Sequence, residues 1–305
     1  MLEQSVIRFK KLVQKRKHFE LGPVNLDIPR GYVTAIVGPN GSGKSSLLRL
    51  LLDISKPDSG QIEVLGERVG SGNDQLLKER IGYVPEQSNE IDDHMTADRK
   101  AEFIRKWYPQ WDITLYRELL RRFDVETDLK LGKMSKGMRR KFDLAIAMAH
   151  QPQLLLLDEP SSGLDPIAWK TMIDVLHRYM ERGERTILMA SHIVDEVRRL
   201  ADYIVFMVHG RMLGLYEKDT LLESWYVLYL DGGSQERHGV NWKSVPGFCS
   251  MEHTGGTTVK ITTSEAREAE EWCAAQQVHI VGRQKLELDD ILVLLTERER
   301  LRMQT

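Results

Sequence analysis

Cysteine is almost missing from this sequence: 305 residues carry Cys249 and Cys273 and no other. Two thiols are too few for the disulfide framework that replaces a core in small secreted domains, and the usage fits a reducing compartment. A charge of one sign is missing as well. Lys and Arg number 43 against 45 Asp and Glu, a formal charge of −2, so nothing in the overall balance supports nucleic acid as an obligatory partner. The short basic clusters Lys10-Lys11 and Lys15-Arg16-Lys17 read as solvated edges. No apolar run approaches the roughly 18–20 residues that a membrane-spanning helix needs, so any membrane role is expected to come through a partner. The opening Met1-Leu2-Glu3-Gln4 lacks the charged-then-apolar pattern of a secretory signal. Internal repeats and low-complexity tracts are also lacking. What is present is ample core material: 41% of the residues are hydrophobic, and the length suits two domains or one large domain with an appendage.

Along the chain, Val24–Ile28 alternates, Pro29-Arg30-Gly31 turns, and Tyr32–Val37 is a nearly continuous apolar run. Such a run suits a buried parallel strand. Helical leucines follow at Ser46–Leu52. From about residue 90 to 150 the chain is rich in Lys, Arg, Glu, Trp and Leu at helical spacing. Strand texture returns at Leu154–Leu157 and Thr186–Ala190, each followed by a helical stretch. Strands alternating with helices predict a mainly parallel α/β core. The composition shifts near residue 219. Beyond it, Trp225–Leu230, Thr257–Thr262 and Val278–Val281 read as strands around a helix Ser264–Gln276, with a closing helix Asp289–Arg298. Gly232-Gly233 and Gly255-Gly256 read as turns.

Two strings carry chemistry. Gly38-Pro39-Asn40-Gly41-Ser42-Gly43-Lys44-Ser45 fits G-x-x-x-x-G-K-[ST], with Ser46 continuing into the helix. Backbone N–H groups surround a phosphate only where side chains do not obstruct the loop, and the helix N-terminus adds partial positive charge. Lys44 is expected to reach the β- and γ-phosphates and the Ser45 hydroxyl to ligate Mg²⁺. The apolar strand Leu154–Leu157 ends in Asp158-Glu159. Asp158, at the carboxyl end of a strand, suits a metal, and Glu159 suits the orientation or deprotonation of an attacking water.

Between these sites, Leu131-Gly132-Lys133-Met134-Ser135-Lys136-Gly137-Met138 resembles the ABC (ATP-binding cassette) signature L-S-G-G-Q in its S-K-G-M variant; Ser135 and Gly137 match, whereas Lys136 and Met138 depart. Gln87 resembles the family's Q-loop glutamine, Ser162-Gly163-Leu164-Asp165 its D-loop, and His192 its switch histidine. These motifs stand in the family's order over about residues 5–215. Trp107-Tyr108-Pro109-Gln110-Trp111-Asp112 resembles a segment of ABC-2 type exporter ATPases, and Leu288-Asp289-Asp290-Ile291-Leu292 resembles a segment that ends many exporter ATPases.

The resemblance implies an α/β P-loop NTPase core over residues 1–218, with a helical subdomain at about 88–150, and a small accessory or regulatory α+β domain over 219–305. It implies an ATPase using ATP and Mg²⁺, with Ser45, Gln87 and Asp158 at the metal and Glu159, His192 and Gln87 in catalysis. Two such subunits, a homodimer or a heterodimer, would close head to tail, each ATP meeting Ser135, Lys136, Gly137 and Met138 of the opposite subunit. The work would be exported to separate permease subunits from the cytoplasmic face of the membrane, with no nucleic-acid partner. Where the family stacks adenine on an aromatic residue, Lys15 or Arg16 stands, with His18 and Phe19 just beyond. The rival readings are a soluble ABC ATPase acting on DNA or ribosomes, a P-loop kinase or GTPase, and a non-hydrolysing scaffold. The expected long coiled-coil insertions or second cassette of the first are not seen. The second has no need of the signature, and the intact Glu159 and His192 argue against the third.

Overall fold

The computed structural model describes residues 5–72, 74–233, 240–254 and 257–304, so Met1–Gln4 and the expected turn Gly255-Gly256 lie outside the described residues. The chain forms two compact units, Met1–Leu215 and Tyr216–Thr305.

The first unit opens with a long antiparallel pair, β1 (Ser5–Arg16) and β2 (Phe19–Pro29), followed by β3 (Val33–Val37) and helix α1 (Lys44–Leu51). Next come β4 (Ser59–Val64), β5 (Glu67–Arg68), α2 (Asp74–Glu79) and β6 (Ile81–Val84). A helical stretch holds α3 (Ala97–Ile104), α4 (Ile113–Phe123) and α5 (Lys136–Ala149). The unit then alternates β7 (Leu154–Asp158), α6 (Pro166–Met180), β8 (Thr186–Ser191), α7 (Val194–Leu200), β9 (Tyr203–Val208) and β10 (Arg211–Glu217), the last strand carrying the chain across the division.

A small sheet orders β2-β1-β4-β5, and the main sheet orders β10-β9-β3-β8-β7-β6. In the main sheet β3 runs parallel to both β8 and β9, β7 to β8, and β6 to β7. All five residues of β3 and of β7 are buried, as parallel strands covered on both faces require. One consequence positions the site. Val37 pairs with Ser191 and Asp158 with Ala190, so the carboxyl ends of β3, β7 and β8 finish side by side. Open α/β sheets present their ligand-binding loops at that edge.

The helical stretch is built on local signals. Thr96, Asp112 and Ser135 cap α3, α4 and α5 by accepting from backbone N–H groups in the first turn. Tyr116, Leu119, Leu120 and Phe123 are buried on α4, one stripe at helical spacing that packs against α5.

The second unit holds α8 (Lys218–Ser224), β11 (Tyr226–Asp231), β12 (Phe248–His253), β13 (Thr258–Thr263), α9 (Ala266–Ala275), β14 (Ile280–Lys285) and α10 (Leu288–Gln304). Its strands order β12-β13-β11-β14, every described pair antiparallel. Leu228, Leu230, Val259 and Ile261 alternate onto one face and join Trp242, Val245, Ala269 and Cys273 in a core. The strand expected at Val278–Val281 starts later: the Val278 N–H donates to the Cys273 carbonyl and Gln277 takes φ 55°, so these residues close α9. β12 carries no alternating pattern and is a partly exposed edge strand. Cys249 and Cys273 are free thiols; Cys273 is a core residue, and burial pushes its thiol up to about 11.

Candidate nucleotide site

The turn from β3 into α1 is shaped by what its glycines leave open. A Cβ on Gly38 would lie 2.0 Å from the Met207 carbonyl oxygen. Gly43 takes φ 109°, and a Cβ there would meet the Phe19 ring at 2.7 Å. The loop lies flat on β9 and β2 because no side chain stands between. Lys44, 5% exposed, donates to the carbonyls of Gly38 at 2.8 Å and Pro39 at 3.3 Å, and its Nζ lies 3.6 Å from Glu159 Oε1. Ser42 is buried and its hydroxyl has no partner among the described residues, a polar group set into the loop.

Asp158 ends β7, 2% exposed, and accepts from the Ser45 hydroxyl at 3.0 Å. Burial pushes its carboxyl up to about 6; the Ser45 hydrogen bond opposes the rise, while the charges of Glu86 and Glu159 add to it. The Asp158 carboxyl and the Ser45 hydroxyl place two hard oxygen donors together, the type of donor a magnesium ion takes. Glu159 adopts φ 50°, a left-handed conformation rare for a side chain of this size. Its N–H donates to the Ala190 carbonyl at 2.9 Å, which holds that conformation and aims the carboxylate across β8. There Glu159 Oε2 meets His192 Nδ1 at 2.7 Å. Lys44, Ser45, Asp158, Glu159 and His192 are thus one cluster, drawn from three adjacent strand ends.

The signature turn makes a second cluster. Ser135 caps α5, its hydroxyl accepting from the Met138 N–H at 3.1 Å. Lys136 donates to the Ser162 hydroxyl at 2.8 Å, and its stem covers Gly163, where a Cβ would lie 2.7 Å from Lys136 Cγ. Gly137 in turn approaches so closely that a Cβ would sit 2.6 Å from the Gly163 carbonyl oxygen. Asp165 caps α6 through the N–H groups of Ile167 and Ala168, and Leu164 closes the turn on Ser161. The signature and the D-loop are therefore packed as one piece. Among the described hydrogen bonds, none joins this piece to Lys44 or Ser45.

Gln87 is exposed on the segment after β6, and no described hydrogen bond brings it to the cluster. That segment is held from α5. Arg140, buried, donates to the carbonyls of Pro85 and Glu86; Arg139 reaches Asp93 and the Asn89 carbonyl; Asp143 accepts from Ser88. Sequence reasoning misses these residues, because the carbonyls and the Asp93 carboxylate that Arg139 and Arg140 reach lie 46 to 55 residues away in the chain. At the base-binding end, Lys15, Arg16, Lys17 and His18 are exposed on the β1–β2 turn. Phe19 is half-buried against the core, with its ring beneath Gly43.

Fold and site together define a P-loop nucleotide-binding protein of the cassette type. Residues 21–162 match the family described as ABC transporter. The Nod factor export ATP-binding protein I of Burkholderia lata is 33% identical over 66% of this chain and 67% of its own length. The bacitracin transport ATP-binding protein BcrA of Bacillus licheniformis is 33% identical over 62% of each chain. The match thus leaves about a third or more of each relative's length outside it. Among solved structures, an ATP-binding subunit of an ABC transporter superposes with a TM-score of 0.65 at 25% identity, covering 72% of this chain and 92% of that one. The chain belongs to the ABC transporter family of ATP-binding proteins.

Proposed function

We propose that this chain is the ATP-hydrolysing subunit of an exporter whose membrane-spanning part is a separate polypeptide. The observation that carries the reading is the convergence of Lys44, Ser45, Asp158, Glu159 and His192 at three neighbouring strand ends, together with a signature turn packed on the D-loop. The named relatives are export and transport ATP-binding proteins, which favours the same direction of work here.

The residues fit Mg²⁺: the Ser45 hydroxyl, the Asp158 carboxylate and the Gln87 amide are hard oxygen donors. Magnesium characteristically takes one or two carboxylates and keeps several waters. Held by Ser45, Gln87 and Asp158, it would supply positive charge that offsets the charge of the phosphates. Lys44 exchanges the carbonyls of Gly38 and Pro39 for the β- and γ-phosphates. That move withdraws it from Glu159, whose Oε1 is then free to orient a water and take its proton. His192, held on the other carboxylate oxygen, presents its remaining ring nitrogen toward the γ-phosphate. Gly38, Asn40, Gly41, Ser42, Gly43 and Ser46 would enclose the phosphates with backbone and hydroxyl donors, while Pro39, which has no N–H, shapes the loop. Ser135, Lys136, Gly137 and Met138 serve the ATP of a second subunit, so that ATP binding favours the closed pair and hydrolysis releases it.

Among the described residues no helix is long and apolar enough to cross a membrane. The permease is expected at the cytoplasmic face, against the groove of about 460 Å³ lined by Leu52, Tyr83, Ile104, Trp107, Tyr108 and His150. Trp107 is 61% exposed there, and Tyr108 stacks on His150 at 4.1 Å. Residues 1–218 act as the motor and 219–305 as a regulator of pairing. The test is recovery from detergent-solubilised membranes with tagged Glu159→Gln protein in ATP and Mg²⁺. A polytopic membrane protein that is lost with Lys44→Ala supports the reading; recovery of ribosomes or DNA complexes overturns the transport part. Deleting residues 220–305 is expected to change pairing and leave ATP binding intact, and loss of ATP binding would refute the regulatory role.

A further inference from the structure

Glu196, on α7, is 1% exposed and takes no part in the chemistry described above. Burying a carboxylate is costly unless its oxygens are satisfied. Here both are. Oε2 accepts from the Ser191 hydroxyl at 2.8 Å, and Oε1 accepts from the Ser161 hydroxyl. The two serines belong to different loops. Ser161 follows Glu159 in the turn that opens the D-loop, and Ser191 ends β8 immediately before His192. Ser191 Oγ also accepts from the Ile193 N–H at 3.0 Å, so the same hydroxyl fixes the backbone on the far side of His192. Burial pushes the Glu196 carboxyl up to about 7; the Ser191 hydrogen bond and Arg140 oppose this, and the charge of Glu159 adds to it. The carboxylate is thus inside the electrostatic field of the catalytic group without touching it.

We propose that Glu196 is a positioning residue for ATP hydrolysis, its carboxylate joining the turn after Glu159 to the strand end before His192 and so setting the Glu159–His192 pair in register with the D-loop. The inference rests on the ATPase reading. It assigns Glu196 a kinetic role that a satisfied core acid would lack. Misplacing a catalytic group by about 1 Å from a distant substitution costs on the order of 100-fold in rate. Binding of the nucleotide, built on the loop Gly38–Ser45, involves none of the bonds that Glu196 makes.

Steady-state ATP hydrolysis, nucleotide titration and thermal melting of the full chain test it with Glu196→Ala, Glu196→Gln, Ser161→Ala and Ser191→Ala. For Glu196→Ala, kcat is expected to fall roughly 10- to 100-fold, with KM and nucleotide Kd within about threefold. Glu196→Gln keeps the shape and one accepting oxygen, and its amide donates to the other serine; it is expected to recover most of the loss. Each serine variant removes one hydroxyl and keeps the test open should Glu196→Ala not fold; each is expected to lower kcat about three- to tenfold. A lowered melting temperature with kcat unchanged in Glu196→Ala, or unchanged kcat in both serine variants, overturns the proposal. If the wild-type chain with Mg²⁺ hydrolyses no ATP, the ATPase reading itself fails, an outcome distinct from either of these.

Discussion

The first unit buries Lys44, Arg139, Arg140, Asp158, Glu159 and Glu196, whereas the buried polar residues described in the second are Thr262, Thr263 and Glu299. The difference is one of purpose. An ionisable group inside a protein must be paired or it shifts toward neutrality. The first unit accepts that cost where β3, β7 and β8 end, and offsets it with short polar contacts between groups from separate strands. The second unit builds its core from Leu228, Leu230, Val259, Ile261 and Trp242 over an antiparallel sheet. Among the described residues, the cluster of buried ionisable groups at strand ends lies in the first unit.

The sharpest way to break this contrast is Glu159→Gln. Hydrolysis is expected to drop by about 10²- to 10⁴-fold, the range for loss of a general base, with ATP binding retained; a variant that hydrolyses like wild type would place the chemistry elsewhere. Leu228→Ala attacks the other side. Leu228 is fully buried, and truncation is expected to cost about 2–5 kcal/mol in urea unfolding with ATP affinity unchanged. A large loss of ATP affinity in the folded variant would show that the second unit shapes the site.

A third measurement reads the buried charges through pH. Burial holds His150 down to about 4 from 6.5. Its Nε2 lies 3.1 Å from the Ile81 carbonyl, and desolvation outweighs the help that the Ile81 and Ile146 carbonyls give the charged ring. As pH falls, the unfolded chain takes up the His150 proton first. Stability present above the unfolded value is therefore lost between about pH 6.5 and 4, by about 3 kcal/mol at most. Asp158 and Glu196, whose carboxyls are raised, contribute the other way: their share is full at low pH and is lost as pH rises through about 6 and about 7. Comparing wild type with His150→Gln cancels those two. The wild-type advantage in urea midpoint is expected to shrink toward pH 4, and a constant difference would remove His150 from the account. The smallest effect is Lys136→Ala, which removes an exposed hydrogen bond to Ser162. Stability is expected to move by no more than about 0.5 kcal/mol, while hydrolysis falls about two- to fivefold. Unchanged hydrolysis would mean that the packing of Gly137 on Gly163 suffices to hold the D-loop.

Much of the fold and of the site is legible in the amino-acid sequence because local physics writes it locally. The glycines at 38, 41 and 43 mark a loop that backbone must line, and the apolar run Leu154–Leu157 ending in Asp158 marks a buried strand that stops at a ligand edge. Helical spacing in Tyr116, Leu119, Leu120 and Phe123 marks α4. The edge strand β12 and the late start of β14 are not legible in the same way, since an exposed edge needs no alternation and Val278 is recruited to close a helix.

What the sequence determined by itself is the inventory: a phosphate loop, two acids at a strand end, a signature, and a histidine, each specified by neighbours along the chain. The tertiary structure alone decided their acquaintances. Glu196 reads in Asp195-Glu196-Val197-Arg198-Arg199 as one more solvated helical acid, and Arg140 as one more surface charge. Both are buried because partners 35 and 55 residues away supply the hydrogen bonds that make burial tolerable. Sequence spacing records which groups a chain carries, but the pairing of buried charges depends on which strand ends lie side by side, and only the fold decides that.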